Sequence, residues 1–166
     1  ILERIVSRKK ADMSKVEPTS LALLPEKIKQ CTIIDIGGSK VLIEFWAHYF
    51  MNADGVVFVI DGTLGPEKAK EDIKLLESQI ADERLQRKPV AVLINKSDNK
   101  NCLKISDIES FNIIKQTEES KNNLSLIFRP IKFFEVSAFT GDNIFEVINW
   151  ISPLAMEVYN SRLKKI

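Results

Sequence analysis

The sequence predicts an α/β fold, a mostly parallel sheet with helices on both faces. Three observations carry this. Short apolar runs rich in β-branched residues alternate with segments of helical periodicity, the pattern of strand–helix–strand units. The runs Val56–Ile60 and Val90–Ile94 are continuously apolar, as in strands covered on both faces. Each run stops at a polar residue, and open α/β sheets bind ligands in the crevice beyond the carboxyl ends of their strands.

Taken in chain order, Ile1–Val6 reads as the tail of a helix and Lys27–Gln30 as a strand or a turn. Thr32–Ile34 is a strand leading into Asp35. Val56–Ile60 leads into Asp61, Val90–Ile94 into Asn95, and Lys132–Val136 into Ser137. Glu67–Glu83 places Ile73, Leu76 and Ile80 on one helix face, with Pro66 suited to its first turn. Ser106 to about Lys121 reads as a second helix, Ser106 capping it and Glu109 completing a capping box. Asp142–Lys164 carries Ile144, Val147, Ile148, Ile151, Leu154, Ala155 and Val158 at helical spacing, and Pro153 predicts a kink or a break inside it. Asn99–Leu103 and Glu119–Ser125 are polar connectors, and no internal repeat is visible.

At 166 residues the chain is one domain, long enough to bury a single substantial core. With 45% hydrophobic and 28% charged residues it is globular rather than disordered or fibrous. A formal net charge of +1 gives no reason to expect a nucleic-acid or anionic-membrane partner. Arg8-Lys9-Lys10 reads as a solvated loop. Cys31 and Cys102 lack metal-type spacing and read as unpaired thiols of a reducing cytoplasm. No apolar run approaches the ~20 residues of a membrane span. No secretory signal or prenylation box is visible. The first residue is Ile1 rather than methionine, which suggests a processed, truncated or incompletely predicted product.

The most specific local motif is Asn95-Lys96-Ser97-Asp98. Guanine presents two donors on one edge, and an ionised Asp98 carboxylate accepts both at once, a charge-assisted bidentate arrangement. Adenine meets the same carboxylate with a lone pair, a mismatch that discriminates by orders of magnitude. In that reading Asn95 ties neighbouring loops together and Lys96 lays its stem along the base. Taken alone, the four residues also read as a surface turn. Ser137-Ala138, again directly after a strand, offers a backbone N–H to the guanine carbonyl. In Asp35-Ile36-Gly37-Gly38 the carboxylate at a strand end can hold Mg²⁺ through water, and glycine lets the backbone approach a terminal phosphate. The other reading of that segment is a strand-ending turn.

Asp35, then Asn95 to Asp98, then Ser137 is the order of the nucleotide-binding elements in Ras-type GTPases. The stretch Asp35-Ile36-Gly37-Gly38-Ser39-Lys40, followed by Phe45-Trp46-Ala47-His48-Tyr49-Phe50, resembles the Arf and Arf-like proteins. Their pattern is a D-x-G-G-Q turn and then a W-x-x-Y-F helix. Ala53 to Asp61 is similar to that family too, and the resemblance runs from about Pro18 to Ile151. The signal-recognition-particle receptor β subunit is a related possibility, but it shows D-x-P-G, which this sequence lacks. The resemblance implies a P-loop NTPase fold of the Ras-like G-domain type, with GTP or GDP and Mg²⁺ as ligands. Asp35, Gly38, Asn95, Lys96, Asp98, Ser137, Ala138 and Phe139 then fall at nucleotide-binding positions. Thr19, in Pro18-Thr19, resembles the switch-loop threonine that ligates Mg²⁺ alongside Asp35, although the family spacing is longer. It also reads as a plain loop residue. Trp46 and Tyr49 fall on the family's effector patch, and they also read as core residues, as Phe50 does. His48 reads as a helix residue rather than a catalytic base, and Asp61 as structural.

Two departures from the family matter. No G-x-x-x-x-G-K-[ST] occurs, the loop that cradles phosphates and supplies a lysine and a Mg²⁺ ligand. Ile1–Val6 resembles the remainder of the helix that follows this loop, so the expectation is that the first strand and the loop lie immediately upstream of Ile1. Without that central strand the sheet would have a gap with two open edges. Second, Ser39 stands where the family has the glutamine that orients the attacking water, which implies slow GTP hydrolysis. Phe139 replaces the lysine of S-A-K, a change its backbone tolerates.

The favoured expectation is an Arf-like GTP-binding switch of membrane traffic. It recruits effector proteins, is served by an exchange factor and a GTPase-activating protein, and is monomeric and cytoplasmic. Peripheral membrane contact would come through an N-terminal helix upstream of Ile1. As it stands, the chain is expected to bind nucleotide poorly. The rival is a pseudo-GTPase interaction module whose aromatic helix binds partners regardless of nucleotide. An unrelated flavodoxin-like domain would not explain the ordered motifs.

Overall fold

The computed structural model describes residues 1, 2, 5, 19, 26–28, 31–108 and 129–164. In chain order, β1 (Glu26–Ile28) and β2 (Cys31–Ile33) form an antiparallel pair. Two short helices follow, α1 (Lys40–Ile43) and α2 (Ala47–Phe50). Then come β3 (Val56–Asp61), α3 (Pro66–Ile80), β4 (Val90–Asn95), α4 (Ile105–Ile108), β5 (Ile131–Val136) and α5 (Ile144–Leu163). β3, β4 and β5 make a three-stranded parallel sheet with β4 in the middle. The expected architecture is therefore present in its parallel sheet, with the β1–β2 pair as a separate two-stranded sheet.

β4 organises the core. Val90, Ala91, Val92, Leu93 and Ile94 are all fully buried, as the continuous apolar run predicts. Alternate side chains point to opposite faces of a strand. Val90, Val92 and Ile94 pack with Ile60 and with Ala69, Ile73, Leu76 and Ile80 of α3, together with Ile108 of α4. Ala91 and Leu93 pack with Phe134 and Val136 of β5, with Ile144, Val147, Ile148 and Ile151 of α5, and with Ile5. Each fully buried aliphatic side chain contributes roughly 1.5–3 kcal/mol. The two clusters fix helices to both faces of the sheet.

β3 differs from its expectation. Its run is as apolar as that of β4, yet Val57 and Val59 are 39% and 44% exposed. Among the described residues no strand pairs with its outer edge. Continuous hydrophobicity announces that a strand needs cover on both faces, and here one face of β3 has little.

Two helix boundaries also shift. The α3 helix ends at Ile80, short of Glu83, and a 3₁₀ turn Glu83–Leu85 follows, capped where Asp82 accepts the Arg84 N–H at 2.9 Å. Ser106 lies inside α4 rather than capping it. The capping geometry sits two residues earlier, where Asp107 accepts the Lys104 N–H at 2.7 Å and Glu135 of β5 accepts the Ile105 N–H at 2.9 Å. Of the kink or break expected at Pro153, the break does not occur: α5 runs through it. Pro153 lies on an exposed face, where water reaches the backbone that the ring disturbs. Leu2 and Ile5 are helical and buried, in line with the helix tail expected there. Arg8-Lys9-Lys10, residues 109–121 and the Glu119–Ser125 connector lie outside the described residues. Cys31 and Cys102 are free thiols. No described helix is long and apolar enough to cross a membrane.

Gly62, just after β3, is required by close packing. A Cβ there would overlap Cys102 Sγ and stand 2.9 Å from Ile94 Cγ2. Gly62→Ala is expected to cost about 1–3 kcal/mol in urea unfolding. Combining it with Cys102→Ala should lose less than the sum of the two single losses. Simple additivity of the two would show that Cys102 is not what limits the space.

Candidate functional site

The parallel register brings three chain segments to one edge. Asp61 stands opposite Asn95, and Asn95 opposite Val136, so the residues just past each strand end become neighbours. Their polar side chains then bond across strand ends. Asn95 Oδ1 accepts the Ala138 N–H at 3.0 Å. The Ser137 hydroxyl donates to Asp98 Oδ1 at 2.5 Å and accepts the Thr140 N–H at 3.0 Å. The Ser97 N–H donates to the Val136 carbonyl at 3.0 Å. Ser137 is fully buried, while Asp98 is exposed at the rim. One Asp98 oxygen is thus oriented from behind, and the carboxylate retains acceptor positions towards solvent.

Lys96 has a left-handed backbone, φ 73°, uncommon for a residue with a side chain. Its ammonium donates to Asp61 Oδ2 at 2.6 Å. Asp61 Oδ1 accepts both the N–H and the hydroxyl of Thr63, at 3.0 and 2.7 Å. Burial alone would raise the Asp61 carboxyl, but the bonds from Lys96 and Thr63 outweigh it and hold it below the usual carboxylate range. The left-handed conformation costs about 1–2 kcal/mol. An ion pair with so exposed a lysine contributes about 0.2–1 kcal/mol.

The sequence-predicted residues divide into two groups. Asn95, Lys96, Asp98, Ser137, Ala138 and Phe139 are brought together at the ends of β4 and β5. Thr19 and Asp35 form the other group, the Thr19 hydroxyl donating to Asp35 Oδ2 at 2.8 Å. These are hard oxygen donors of the kind Mg²⁺ prefers. Gly38 has neither a positive φ nor any atom within 4 Å of where its Cβ would stand. Neither turn geometry nor packing demands a glycine there, and the open space suits the approach of a ligand. Ser39 is exposed, and its side chain makes no cap bond to α1.

The structure adds detail to two expectations. The backbone N–H groups of Ser137 and Ala138 are engaged within the protein, by the Asp142 carbonyl at 3.1 Å and by Asn95. A ligand carbonyl at Ala138 would have to share or displace Asn95. Trp46 and Tyr49 are half-buried, between the surface and core readings that the sequence leaves open. The Trp46 indole N–H donates to the Gly37 carbonyl at 3.1 Å, and its ring meets Phe58 edge-on at 6.1 Å. A buried indole seeks both a partner for its N–H and a ring to pack on. The exposed apolar side chains of this segment are Val41 and Phe45 instead, which the W-x-x-Y-F spacing does not reveal. Phe50 is a core residue, as expected. His48 is exposed on α2. Asp61 and Thr63 join the site although sequence reasoning does not place them there, and the only available hint is a polar residue ending a strand.

The ADP-ribosylation factor family model matches residues 3–154. The chain belongs to that family. ADP-ribosylation factor-like protein alp41 of Schizosaccharomyces pombe is 31% identical over 150 residues, spanning 89% of this chain and 75% of the relative. ADP-ribosylation factor-like protein 3 of Saccharomyces cerevisiae is 27% identical over 144 residues, spanning 84% of this chain and 68% of the relative. Among solved structures, the Arl6 BBS3 small GTPase of Trypanosoma brucei with the bound nucleotide analogue GppNp superposes with a TM-score of 0.67 at 20% identity, covering 92% of this chain and 89% of that one. The chain is thus an Arf-like small GTPase with a Ras-like G-domain fold.

The Asp61 carboxyl makes a sign-definite prediction. Its value in the folded protein is lowered, so its contribution is present above the unfolded value of about 3.9 and lost as pH falls through the folded one. Asp61→Asn should lower the urea midpoint slightly near pH 6, by under about 1 kcal/mol because Lys96 is exposed. The difference from wild type should disappear as the pH falls below about 3.9. A difference that grows on acidification would contradict this geometry.

Proposed function

We propose that the chain carries the base-reading and switch-bearing parts of an Arf-like GTP-binding switch that recruits effector proteins. The observation that carries this is the joining of the Asn95–Asp98 loop to the Ser137–Phe139 loop, with Asp98 held by buried Ser137 and open to solvent. Asp98 accepts the two donors of guanine, and Lys96 lies beside the base. Thr19, and Asp35 through water, would hold Mg²⁺, which would supply charge neutralisation at the phosphates. Gly38 gives its backbone to the terminal phosphate. Exposed Val41 and Phe45, beside half-buried Trp46 and Tyr49, form the effector-facing surface.

Calorimetry with guanine and adenine nucleotides tests the reading. Binding weaker than micromolar is expected for this chain, with guanine preferred. Equal affinity for both bases would reject it. In Asp98→Asn the amide oxygen keeps the Ser137 bond, which turns the NH₂ towards the base. That variant should lose guanine binding at least ~10-fold, a loss of ~1.4 kcal/mol. It should gain relative preference for xanthine, which carries a carbonyl in place of the guanine amine.

The proposed switch hydrolyses GTP slowly, because Ser39 is too short to orient water as glutamine does. In a protein carrying the phosphate-binding loop, Ser39→Gln should raise single-turnover hydrolysis at least ~10-fold, about 1.4 kcal/mol of barrier. An unchanged rate would remove Ser39 as the cause. The rival reading, a nucleotide-independent interaction module, is favoured by Ser39 standing where the family has a glutamine. It predicts partner binding unaffected by guanine nucleotide in that same protein.

A further inference from the structure

We propose that Asp61 is a positioning residue for guanine recognition, holding Lys96 so that its methylene stem stands fixed beside the base-reading carboxylate of Asp98. The proposal rests on the reading of Asn95–Asp98 as a guanine site.

Asp61 is an unusually well-held anchor. Thr63 fills its Oδ1 with two bonds, leaving Oδ2 for the Lys96 ammonium at 2.6 Å. The next residue, Gly62, donates its N–H to the Asn95 carbonyl at 3.1 Å, tying the end of β3 to the strand that carries Lys96. Close packing of Gly62 on Cys102 and Ile94 keeps that joint from sliding. The Asn99 N–H closes the turn on the Lys96 carbonyl at 2.9 Å, and the left-handed backbone of Lys96 is held within it. The result is a paired arrangement. Asp98 is oriented by Ser137 from the β5 side, and Lys96 by Asp61 from the β3 side.

Two consequences for binding follow. A lysine stem already fixed has less rotamer freedom to lose when a base settles against it. Lys96 also stands two residues from Asp98 in sequence, close enough for a released ammonium to turn onto the carboxylate and compete with guanine for its lone pairs. Asp61 draws the ammonium away from that acceptor.

The probe is guanosine, which needs no phosphate grip, titrated into the chain while backbone amide shifts are followed by NMR. Wild type should show saturable shifts at Asn95 to Asp98 and Ser137 to Phe139, and Asp98→Asn should lose them. Asp61→Asn should weaken guanosine at least threefold, and Asp61→Glu should recover part of the loss. In a Lys96→Met background, which keeps the apolar stem but has no ammonium, Asp61→Asn should change affinity no further. The proposal is overturned if Asp61→Asn binds guanosine as wild type does, or if it weakens binding equally in the Lys96→Met background. Absence of guanosine binding by wild type would reject the guanine reading and this proposal with it, whereas the two variant results reject the positioning role alone.

Discussion

The parallel register of β3, β4 and β5 is the constraint on which the site depends. Because the strands run the same way, their carboxyl ends share one edge, and chemistry distant in sequence becomes local. Asp61 meets Lys96, Asn95 meets Ala138, and Asp98 meets Ser137 across those ends. None of these pairs would form if one strand slipped by a residue, since every side chain would then exchange faces. The register is in turn secured by β4, whose five leading residues are buried on both sides. The large hydrophobic term thus fixes the frame, and the small polar terms do the selecting.

That division of labour explains what is legible in the sequence. β4 and β5 are legible because their runs are only six residues long and rich in β-branched or aromatic side chains, which favours a buried strand over a buried helix. The sides of α3 and α5 are legible because Ile73, Leu76 and Ile80, and Ile144, Val147, Ile148 and Ile151, recur at helical spacing and are buried as that spacing requires. The pairing of Asn95 and Asp98 with the segment at Ser137 is legible through order along the chain. Proximity follows once the strands are aligned.

The differences have one physical cause. They are places where a side chain chooses between two acceptable partners that the sequence does not rank. Ser106 could cap a helix, but Glu135 from another strand and Asp107 satisfy the first N–H groups, and the helix begins earlier. Trp46 could face solvent, but a carbonyl at Gly37 and the ring of Phe58 take it inward. Lys96 could extend freely, but Asp61 holds its head. Pro153 could break a helix, but an exposed position keeps the disturbance small. Hydrophobic periodicity decides which face is buried, and it is silent on which polar partner wins.

The Trp46 bond also constrains how the segment from Asp35 to Phe50 could move. The Gly37 carbonyl is tied to the indole, the indole leans on Phe58 of β3, and the far end of α2 is tied to the body of the protein. Arg84 donates to the Ala47 carbonyl at 2.9 Å and Lys88 to the Phe50 carbonyl at 2.8 Å. Burial pushes the Lys88 ammonium down from its usual range, a sign that this tie is partly shielded from water. A displacement of the glycine turn must therefore either break the indole bond or drag α2 against two cationic ties. The first breaks one neutral hydrogen bond of about 0.5–1.5 kcal/mol and adds the loss of whatever part of the ring leaves Phe58. A turn that moves by releasing Trp46 would leave α2 in place and free a large aromatic side chain beside Val41 and Phe45. Trp46 therefore couples the glycine turn to β3, while Arg84 and Lys88 couple α2 to the body of the protein.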